Sequence, residues 1–387
     1  MRLLLVSDSY PPKLGGSEVE AQRVSAALLR AGHRVTVVCS GGPPMPPVRD
    51  WTDPEGVPVE ILTRTSTGKL KDYAFAIRVA VYLLEHRRDY DAVYFLMQGL
   101  HLATGLPAAR LCGFPIVMKI SGDGIVSLMQ RSRAGRFELA CLRKWRIPVM
   151  LLNESMFAEA AAAGFPRGQL KWMPNPVDVD AFRPALPGER DAFRASHGLP
   201  ASTRVAIYTG RLSPEKGLRF LISGFAAAVD EYEDALLIVV GDGSSRAELE
   251  TLAQEKGLSP GRVRFVGRID ASAVPDWLRA SDVFALTSPN EGFSCSLLEA
   301  MASGLPSLVS DIPANRQLID PGIHGLTVPY DDVPAIGRAF VALFRNSEQR
   351  TAMAAEARKR VVENYSTRHI VERYEALFSE VIGRRGA

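Results

Sequence analysis

Two glutamates, Glu291 and Glu299, are separated by seven residues in the stretch "SPNEGFSCSLLEAMASGLPSLVS" at 288–310. Between them the chain changes from a glycine-containing loop to a predicted helix that ends at Gly304, so the second carboxylate lies about two turns inside that segment. A carboxylate accepts two hydrogen bonds at once and therefore binds paired sugar hydroxyls well. The alternative is structural: charge–dipole stabilisation by Glu291 and a solvent-facing helix position for Glu299.

The start of the same helix predicts an anion site between the two carboxylates. The backbone N–H groups of Phe293, Ser294 and Cys295 would point at one spot, where unsatisfied donors and the helix dipole favour negative charge. A carboxylate on each side of such a site suits a ligand with hydroxyls on both sides of a phosphate. A nucleotide sugar, made of ribose, diphosphate and hexose, has that form.

Two cations, Arg211 and Lys216, occur in "TGRLSPEKGLRFLI" at 209–222, which follows a predicted strand and opens a helix. Together they can neutralise a diphosphate without a metal ion, the guanidinium as a fork and the ammonium as a point charge. The segment lacks the glycine spacing and the Lys-Ser/Thr pair of a Walker loop. The alternative is an exposed turn that happens to carry two basic residues.

Glycine turns follow two other predicted strands. Gly15 and Gly16 come after the first strand, and Gly241 stands in "VVGDG" at 239–243. Glycine lets the backbone approach a phosphate, sugar or base closely at a strand end. Neither turn has the G-x-G-x-x-G pattern, so dinucleotide binding is weakly supported, and a plain flexible turn is the alternative.

Short apolar runs alternate with amphipathic stretches along the chain, and the alternation restarts after a proline-rich segment at 174–188. Continuous apolar strands alternating with helices predict parallel sheets that are covered on both faces, in two doubly wound domains. The predicted strands lie at 2–8, 33–40, 91–96, 115–121, 147–153, 204–210, 235–243, 263–269, 283–288 and 306–311.

Composition is that of a globular protein. The 387 residues are 47% hydrophobic and 23% charged, and the net charge of +3 gives no argument for nucleic acid. The cysteines show no metal-ligand or disulfide-framework spacing, which predicts free thiols in a reducing compartment. The N-terminal segment reads as a buried strand rather than a signal peptide, and no window reaches the ~18 apolar residues of a membrane span. We therefore expect a cytoplasmic protein.

Basic residues are concentrated at 131–146, where Glu138 is the single acidic residue. With the apolar side chains beside them, these cations could rest on the anionic inner face of a membrane. The alternative is the solvated face of a surface helix whose apolar side packs inward. The cations are Arg131, Arg133, Arg136, Arg143, Lys144 and Arg146, and the apolar side chains are Phe137, Leu139, Leu142 and Trp145.

Taken together, the motifs resemble the retaining glycosyltransferases of family 4, which have the GT-B fold. The resemblance covers nearly the whole chain and is carried, in order and spacing, by "PPKLGGSEVE", "MPNPVDVDAFRP", "GRLSPEKG", "VGDGSSRAELE", "FVGRID" and "NEGFSCSLLEAMASGLP". It implies two Rossmann-like doubly wound domains facing across a cleft. Residues 1–178 would form the acceptor-side domain, with the C-terminal helix 368–387 packing back on it, and 179–367 the donor-binding domain.

The resemblance also implies roles for the candidate residues. Arg211 and Lys216 would clamp the diphosphate. Glu299 would bind the ribose, and Glu291 would hold the donor-sugar hydroxyls beside the reacting carbon. The family typically works without a bound metal or other cofactor, so none is expected. The remaining substrate-binding positions are Gly15 and Gly16 over the diphosphate, Gly241, Arg268 and Ile269 near the base, and Gly292, Phe293, Ser294 and Cys295 around the phosphates.

One position departs from the family pattern. Many members have a histidine after the strand that reads "PIVMKISGDG" here, where this chain has Ser121 followed by Gly122 and Asp123. Ser121 or Asp123 could contact a sugar, or the segment could simply form a turn. His101 is the nearest other histidine, and a helix start is its structural alternative.

The predicted reaction is therefore a hexosyl transfer from a UDP- or GDP-sugar to an acceptor hydroxyl with the anomeric configuration retained. Polysaccharide, glycolipid or glycoconjugate synthesis would use such an enzyme, with a carbohydrate or lipid-linked acceptor. A nucleotide-sugar epimerase, a phosphorylase and a nucleotide-sugar binding protein without transfer are the rival functions. The sequence does not determine the base, the sugar, the acceptor or the oligomeric state.

Overall fold

The computed structural model describes residues 1–12, 16–42, 45, 49–63, 69–258 and 260–384. The chain divides into two units. Unit 1 comprises Met1–Pro176 together with Thr367–Ala387, and unit 2 comprises Val177–Ser366. The chain therefore leaves unit 1 at the end of the "PNP" segment and re-enters it at the last helix.

The sheet of unit 1 is largely parallel and deeply buried. Its strands are β1 (Arg2–Ser7), β2 (Arg34–Ser40), β3 (Asp50–Thr52), β4 (Pro58–Thr63), β5 (Ala92–Leu96), β6 (Ile116–Lys119), β7 (Val149–Leu151) and β8 (Leu170–Trp172). Their spatial order is β3-β4-β2-β1-β5-β6-β7-β8. Only β3 runs antiparallel to its neighbour among these strands. Strand order reverses between β1 and β5, which makes this the switch point of unit 1.

Helices cover the sheet of unit 1 on both faces. They are α1 (Gly16–Arg30), α2 (Lys69–Glu85), α3 (His101–Leu111), α4 (Ile125–Arg131), α5 (Arg133–Lys144) and α6 (Glu154–Ala162). Helix α2 packs against α3, and α3 packs against α5. Because crossovers between parallel strands are right-handed, α1 lies on the face opposite to this layer.

Unit 2 repeats the architecture with a parallel sheet. Its strands are β9 (Arg204–Thr209), β10 (Ala235–Val240), β11 (Val263–Gly267), β12 (Val283–Leu286), β13 (Ser307–Ser310) and β14 (Gly325–Val328). Their order is β11-β10-β9-β12-β13-β14, so the switch point lies between β9 and β12. The prediction of two Rossmann-like parallel-sheet domains is confirmed.

The helices that follow complete the chain. Those of unit 2 are α7 (Glu189–Ser196), α8 (Leu218–Glu231), α9 (Arg246–Glu255), α10 (Val274–Arg279), α11 (Cys295–Ala302), α12 (Pro313–Arg316), α13 (Val333–Arg345) and α14 (Ser347–Asn364). Helix α15 (Thr367–Gly383) belongs to unit 1 and packs against α1 and β6. It is shorter than the predicted 368–387, of which residues 385–387 lie outside the described part of the chain.

A buried ion pair holds the centre of unit 1 together. Lys119, at the end of β6, is fully buried and pairs with Glu20 of α1, which is 2% exposed. Its ammonium also donates to Asn175 Oδ1 at 3.1 Å. Burial by itself would lower the pKa of Lys119, but the adjacent Glu20 carboxylate raises it above its ordinary value. The charge is therefore retained inside the protein because its partner is present.

The C-terminal helix α15 also packs beside the buried ion pair. Tyr374 of α15 is buried beside Lys119, and its hydroxyl lies 3.2 Å from that of Tyr94 in β5. The rings of Tyr94 and Phe378 also pack edge to face, with centroids 6.2 Å apart. These contacts explain why the C-terminal helix belongs to unit 1 although it follows unit 2 in the chain.

We expect Glu20→Ala to destabilise unit 1 by ~3–5 kcal/mol, because it leaves the Lys119 ammonium buried without a counter-charge. The double variant Glu20→Leu, Lys119→Met should recover most of that loss, since two apolar side chains of similar size replace the pair. Urea unfolding followed by tryptophan fluorescence reports mainly on unit 1, which contains three of the four tryptophans, Trp51, Trp145 and Trp172.

The control is Glu55→Ala. Glu55 pairs with Arg30 at 2.9 Å, but both side chains are about half exposed. Its removal should cost less than ~1 kcal/mol. Equal losses for Glu20→Ala and Glu55→Ala would contradict a structural role for the buried pair.

Candidate functional site

The candidate residues of unit 2 gather at its switch point. The loop after β9 carries Arg211 and Lys216, and the loop after β12 carries Glu291. Parallel strands bring their carboxyl ends to one edge of the sheet, and ligands of open α/β sheets bind where the strand order reverses. Strands β9 and β12 are neighbours in the sheet, so the two loops meet there.

Lys216 and Glu291 form an ion pair at this point. Lys216 Nζ lies 2.7 Å from Glu291 Oε1, and the two side chains are 23% and 9% exposed. The arrangement presents an ammonium and a carboxylate side by side at one edge of the sheet. A ligand that has a diphosphate next to sugar hydroxyls matches both groups, because the ammonium attracts phosphate and the carboxylate accepts from hydroxyls.

Side-chain hydroxyls tie the two loops to each other. Thr287 Oγ1 donates to the carbonyl of Gly217 at 3.1 Å. Ser288 Oγ shares its one hydrogen between the carbonyl of Glu215 at 3.1 Å and that of Asn290 at 2.8 Å. Both hydroxyl residues are buried, with exposures of 1% and 0%. Since Lys216 lies between Glu215 and Gly217, these bonds determine where its side chain begins.

Two further buried side chains, Ser310 and Asn315, support Ser288. Ser310 Oγ donates to the carbonyl of Ser288, and Asn315 Nδ2 donates to both the carbonyl and the hydroxyl of Ser310, at 2.9 and 3.1 Å. Ser310 and Asn315 are fully buried. We call Thr287, Ser288, Ser310 and Asn315 the loop clamp. The hydroxyl groups and Asn315 Nδ2 bond to one another or to backbone, as buried polar groups require, whereas Asn315 Oδ1 has no hydrogen-bond partner among the described residues.

A buried tyrosine fixes the backbone at Arg211 in the loop after β9. Tyr208 Oη donates to the carbonyl of Arg211 at 2.9 Å, and Tyr208 is 1% exposed. Burial raises the pKa of Tyr208, and the nearby Glu291 charge adds to the effect. The Arg211 side chain itself is exposed and forms no ion pair with a described residue, so its guanidinium is available to a ligand.

The loop after β10 begins with Gly241 and lies at the same edge of the sheet. Gly241 has a φ of +133°, and a Cβ at this position would stand 1.8 Å from the carbonyl oxygen of Gly210. Its N–H donates to the carbonyl of Gly267 at 2.8 Å, which draws in the loop that begins with Arg268 and Ile269. Gly241 is therefore required by the packing of strand-end loops, whatever ligand binds there.

Helix α11 starts directly after Phe293 and Ser294, two of the three residues whose N–H groups are predicted to form the anion site. The helix begins at Cys295, and Ser294 caps it by accepting from the N–H of Leu297 at 3.2 Å. Phe293 precedes the cap and is 7% exposed, with its ring 5.9 Å from that of Tyr365. Within the described residues, the backbone N–H groups of Phe293, Ser294 and Ser296 have no protein acceptor.

Two further predicted residues lie close to this cap. Glu299 is in the second turn of α11 and is 8% exposed, so it is not the solvent-facing residue of the structural alternative. Gly292 lies in the loop between Glu291 and the cap. The site residues of unit 2 thus share one edge of its sheet.

Unit 1 contains the other predicted positions. Gly16 is the first residue of α1, and Gly15 lies outside the described residues. Ser121 and Asp123 follow β6, and Asp123 Oδ1 accepts from Asn153 Nδ2 at 3.0 Å. Burial raises the pKa of Asp123, and the Glu159 charge adds to the increase.

His101 is a core residue. It is the first residue of α3, 1% exposed, with ring centroids of Phe75 and Phe95 at 5.4 and 6.3 Å. Burial lowers the pKa of His101 to about 4, so the ring is neutral at physiological pH. The helix-start alternative describes its position, at the first residue of α3.

Residues 131–146 form the end of α4 and the whole of α5, separated by Ser132. Leu139 and Leu142 are buried, whereas Phe137 is 48% exposed and all six cations are exposed. Glu138 does not belong to the charged surface, because it is only 4% exposed. In the described part of the chain, no helix has the length and apolar character needed to cross a membrane.

Models of two known protein families match this chain. The model of the glycosyl transferases group 1 matches residues 189–360, and that of the glycosyl transferase 4-like domain matches 15–176. The chain belongs to the group 1 glycosyltransferases. The two matches correspond to units 2 and 1, respectively, and together span most of the chain.

Curated relatives of this group 1 glycosyltransferase are glycosyltransferases too. It is 28% identical to the 2-deoxystreptamine glucosyltransferase of Streptomyces kanamyceticus, over 75% of this chain and 79% of that protein. It is 25% identical to the phosphatidyl-myo-inositol mannosyltransferase of Mycolicibacterium smegmatis, over 90% of this chain and 86% of that protein. Both are similar over most of their length.

Solved structures show the same fold. Anabaena HepE in complex with UDP has a TM-score of 0.82 and 22% identity, covering 98% of this chain and 100% of that one. The sucrose-phosphate synthase of Thermosynechococcus elongatus has a TM-score of 0.80 and 20% identity, covering 99% and 100%. These likenesses identify the GT-B fold of the group 1 enzyme.

Sequence reasoning missed the loop clamp. Serine and threonine are common at strand ends, so the "TS" after β12 and the final serine of β13 give no distinctive signal. Their role depends on the carbonyls of Glu215 and Gly217, which are about seventy residues away in the chain.

We expect Gly217→Ala to disrupt the site more than a left-handed glycine normally would. Gly217 has φ +65°, and a Cβ there would stand 2.3 Å from the Thr287 carbonyl oxygen. The clash should cost a further ~1–3 kcal/mol beyond the left-handed strain. Differential scanning calorimetry measures the difference.

Gly257→Ala is the matched control. Its φ is +69°, but no atom lies within 4 Å of the added Cβ. It should cost only the ~1–2 kcal/mol of an alanine in the left-handed region. If the two variants lose the same stability, the close contact between the loops has no energetic weight.

The buried Glu138 predicts a pH-dependent stability. Burial raises the pKa of Glu138 from 4.5 to about 7, so the folded state keeps a proton that the unfolded chain loses. The free energy of unfolding of unit 1 should therefore fall as pH rises from 4.5 to 7, and this contribution should stay constant above both pKa values.

Glu138→Gln removes this titration. Relative to the parent protein, the variant should gain stability of the order of 3 kcal/mol between pH 4.5 and pH 8, since one pKa unit corresponds to about 1.4 kcal/mol. Urea unfolding at several pH values measures the gain. Glu85→Gln, at an exposed position of α2, should show no such gain; a pH-independent effect of Glu138→Gln would refute the assignment.

Proposed function

We propose that this group 1 glycosyltransferase transfers a hexosyl group from a UDP- or GDP-sugar to an acceptor hydroxyl with the anomeric configuration retained. The observation that carries the proposal is the Lys216–Glu291 pair at the switch point of unit 2. A cation for the diphosphate and a carboxylate for the sugar hydroxyls lie side by side there. The family match supports the class of reaction.

In this proposal unit 2 binds the donor. Arg211 and Lys216 neutralise the diphosphate without a metal ion, and the backbone at the cap of α11 donates to its oxygens. Glu291 accepts from the hydroxyls of the sugar, and Glu299 accepts from those of the ribose. The base lies near Gly241, Arg268 and Ile269, where three strand-end loops meet.

The chemical step breaks the bond between the anomeric carbon and the diphosphate oxygen. Negative charge then grows on the leaving diphosphate, and Arg211 and Lys216 stabilise it more strongly than they stabilise the ground state. The acceptor oxygen forms its bond to the same face of the carbon, and its proton passes to the departing phosphate oxygen. Glu291 positions the sugar, and its pairing with Lys216 reduces its strength as a nucleophile.

Unit 1 binds the acceptor in this proposal, with Gly16, Ser121 and Asp123 at the carboxyl end of its sheet. The relatives' names include one small cyclitol acceptor, 2-deoxystreptamine, and one lipid acceptor, phosphatidyl-myo-inositol. They support a carbohydrate or lipid-linked acceptor without distinguishing the two.

A peripheral contact with an anionic membrane surface through 131–146 is part of the proposal. Exposed Phe137 stands among the exposed cations of α5, which supports such a contact. The free cysteines fit a reducing compartment, such as the inner side of that membrane.

The two glutamates should separate binding from turnover. Glu299→Ala should raise the Kd for the cognate nucleoside diphosphate roughly tenfold, because a buried ribose hydroxyl loses its charged acceptor. Glu291→Ala should lower turnover by ~10²–10³, because Glu291 holds the sugar beside the reacting carbon. It should change the Kd far less, because the nucleoside diphosphate lacks that sugar and Lys216 remains to bind its phosphates. Calorimetric titration with UDP and GDP and an assay of nucleoside diphosphate release measure the two effects.

Glu255→Ala is the control, since Glu255 is exposed at the last residue of α9, the end of the helix that lies far from the carboxyl ends of the strands. It should alter neither quantity. Unchanged binding and turnover in both site variants would contradict the assignment. Tight nucleotide binding without release from any donor would favour a binding protein over a transferase.

A further inference from the structure

We propose that a groove in unit 1 binds the acceptor, and that this acceptor carries an apolar ring or chain beside a hydroxyl group. The inference rests on the proposed transfer and adds the chemical class of the acceptor. The groove has a volume of about 400 Å³, and the residues that matter here are Gln98, Leu100, Leu128, Met129, Arg131 and Glu138.

The groove lies between the loop after β5, one of the two strands that flank the switch point of unit 1, and helices α4 and α5. Gln98 and Leu100 belong to the loop directly after β5, and strand order reverses between β1 and β5. Ligands of open α/β sheets bind outside the strand ends at such a point. The loop is also strained, because Met97 adopts a φ of +74°. A non-glycine residue in this region is unfavourable and is found preferentially at binding sites.

Two polar groups of the groove have no hydrogen-bond partner in the part of the chain that the structure describes. Glu138 is 4% exposed, and its carboxyl group forms no hydrogen bond or ion pair with a described residue, although its oxygens are not fully enclosed by protein. Gln98 Oε1 is buried and likewise lacks a hydrogen bond within the described residues. A buried polar group without a partner is costly, so the pair indicates a ligand that supplies hydrogen bonds. A hydroxyl serves both, since it donates its hydrogen to the amide oxygen and accepts one from the protonated carboxyl group of Glu138.

The remaining wall of the groove is apolar. Leu100, Leu128 and Met129 line it, and Leu128 is 58% exposed. A fully hydroxylated sugar would leave these side chains without a complementary surface. An apolar ring or chain would cover them, and each buried methylene would tighten binding roughly fourfold. The charged Arg131 guanidinium also lines the groove, on an exposed residue at its rim.

Matched alkyl glycosides test the inference on the full-length protein. n-Octyl β-D-glucoside and methyl β-D-glucoside carry the same sugar hydroxyls and differ in the length of the alkyl chain. We expect calorimetric titration, with the octyl compound below its micelle concentration, to show at least ~10-fold tighter binding of the octyl compound. Equal affinities, or no binding of either compound, would overturn the inference.

Leu128→Gln places a polar side chain on the apolar wall at an exposed position, where it does not threaten the fold. It should weaken octyl glucoside binding at least ~5-fold. Ile77→Gln is the control, because Ile77 is 60% exposed on α2 and outside the groove. A loss with Ile77→Gln and none with Leu128→Gln would place the alkyl chain on α2 and refute the groove.

Glu138→Leu removes the unpartnered carboxyl group and keeps the size of the side chain. It should raise the midpoint of unfolding and at the same time weaken octyl glucoside binding several-fold. A more stable protein that binds less well excludes unfolding as the cause of the loss. Unchanged or tighter binding would show that Glu138 does not contact the hydroxyls.

Titration of the same samples with UDP and GDP separates two kinds of failure. Nucleotide binding with equal affinity for the two glycosides would refute the acceptor groove and leave the proposed transfer intact. No binding of either nucleotide would contradict the proposed function itself.

Discussion

The ion pair between Lys216 and Glu291 depends on two hydroxyl groups. Thr287 and Ser288 directly follow β12 and are buried. Their side chains bond to carbonyls of the loop after β9. These bonds add to the close contact of Gly217 with the Thr287 carbonyl in holding the two loops together. Ser310 and Asn315 fix Ser288 in turn, so the position of a charged pair at the surface is set by a buried polar layer.

In unit 1, a buried ion pair connects the elements around the strand ends. Lys119 is buried at the end of β6, and Glu20 on α1 compensates it. Since a buried charge needs its partner, α1 and β6 are locked together, and Tyr374 extends the contact to α15. The two units thus use different means, hydroxyl–carbonyl bonds in one and an ion pair with tyrosines in the other, to hold elements around the carboxyl ends of their strands.

Most of the fold was predictable because buried parallel strands are continuous apolar runs. The strands that the pattern missed are β3, β4, β8 and β14, which lie at or next to the sheet edges. β4 alternates between buried and half-exposed residues, and β3, β8 and β14 have only three or four residues. Edge strands are covered on fewer sides, so their sequences carry a weaker apolar signal.

By itself, the sequence determined the two doubly wound halves and the order of the motifs, since both follow from local apolar runs and from residue spacing. It also marked Lys216 and Glu291 as candidates, because the carboxyl ends of parallel strands converge. Tertiary structure decided that these two side chains pair at 2.7 Å, and that Glu138 faces inward among cations that face solvent. The physical reason is that each of these depends on groups distant in the chain, which local patterns do not encode.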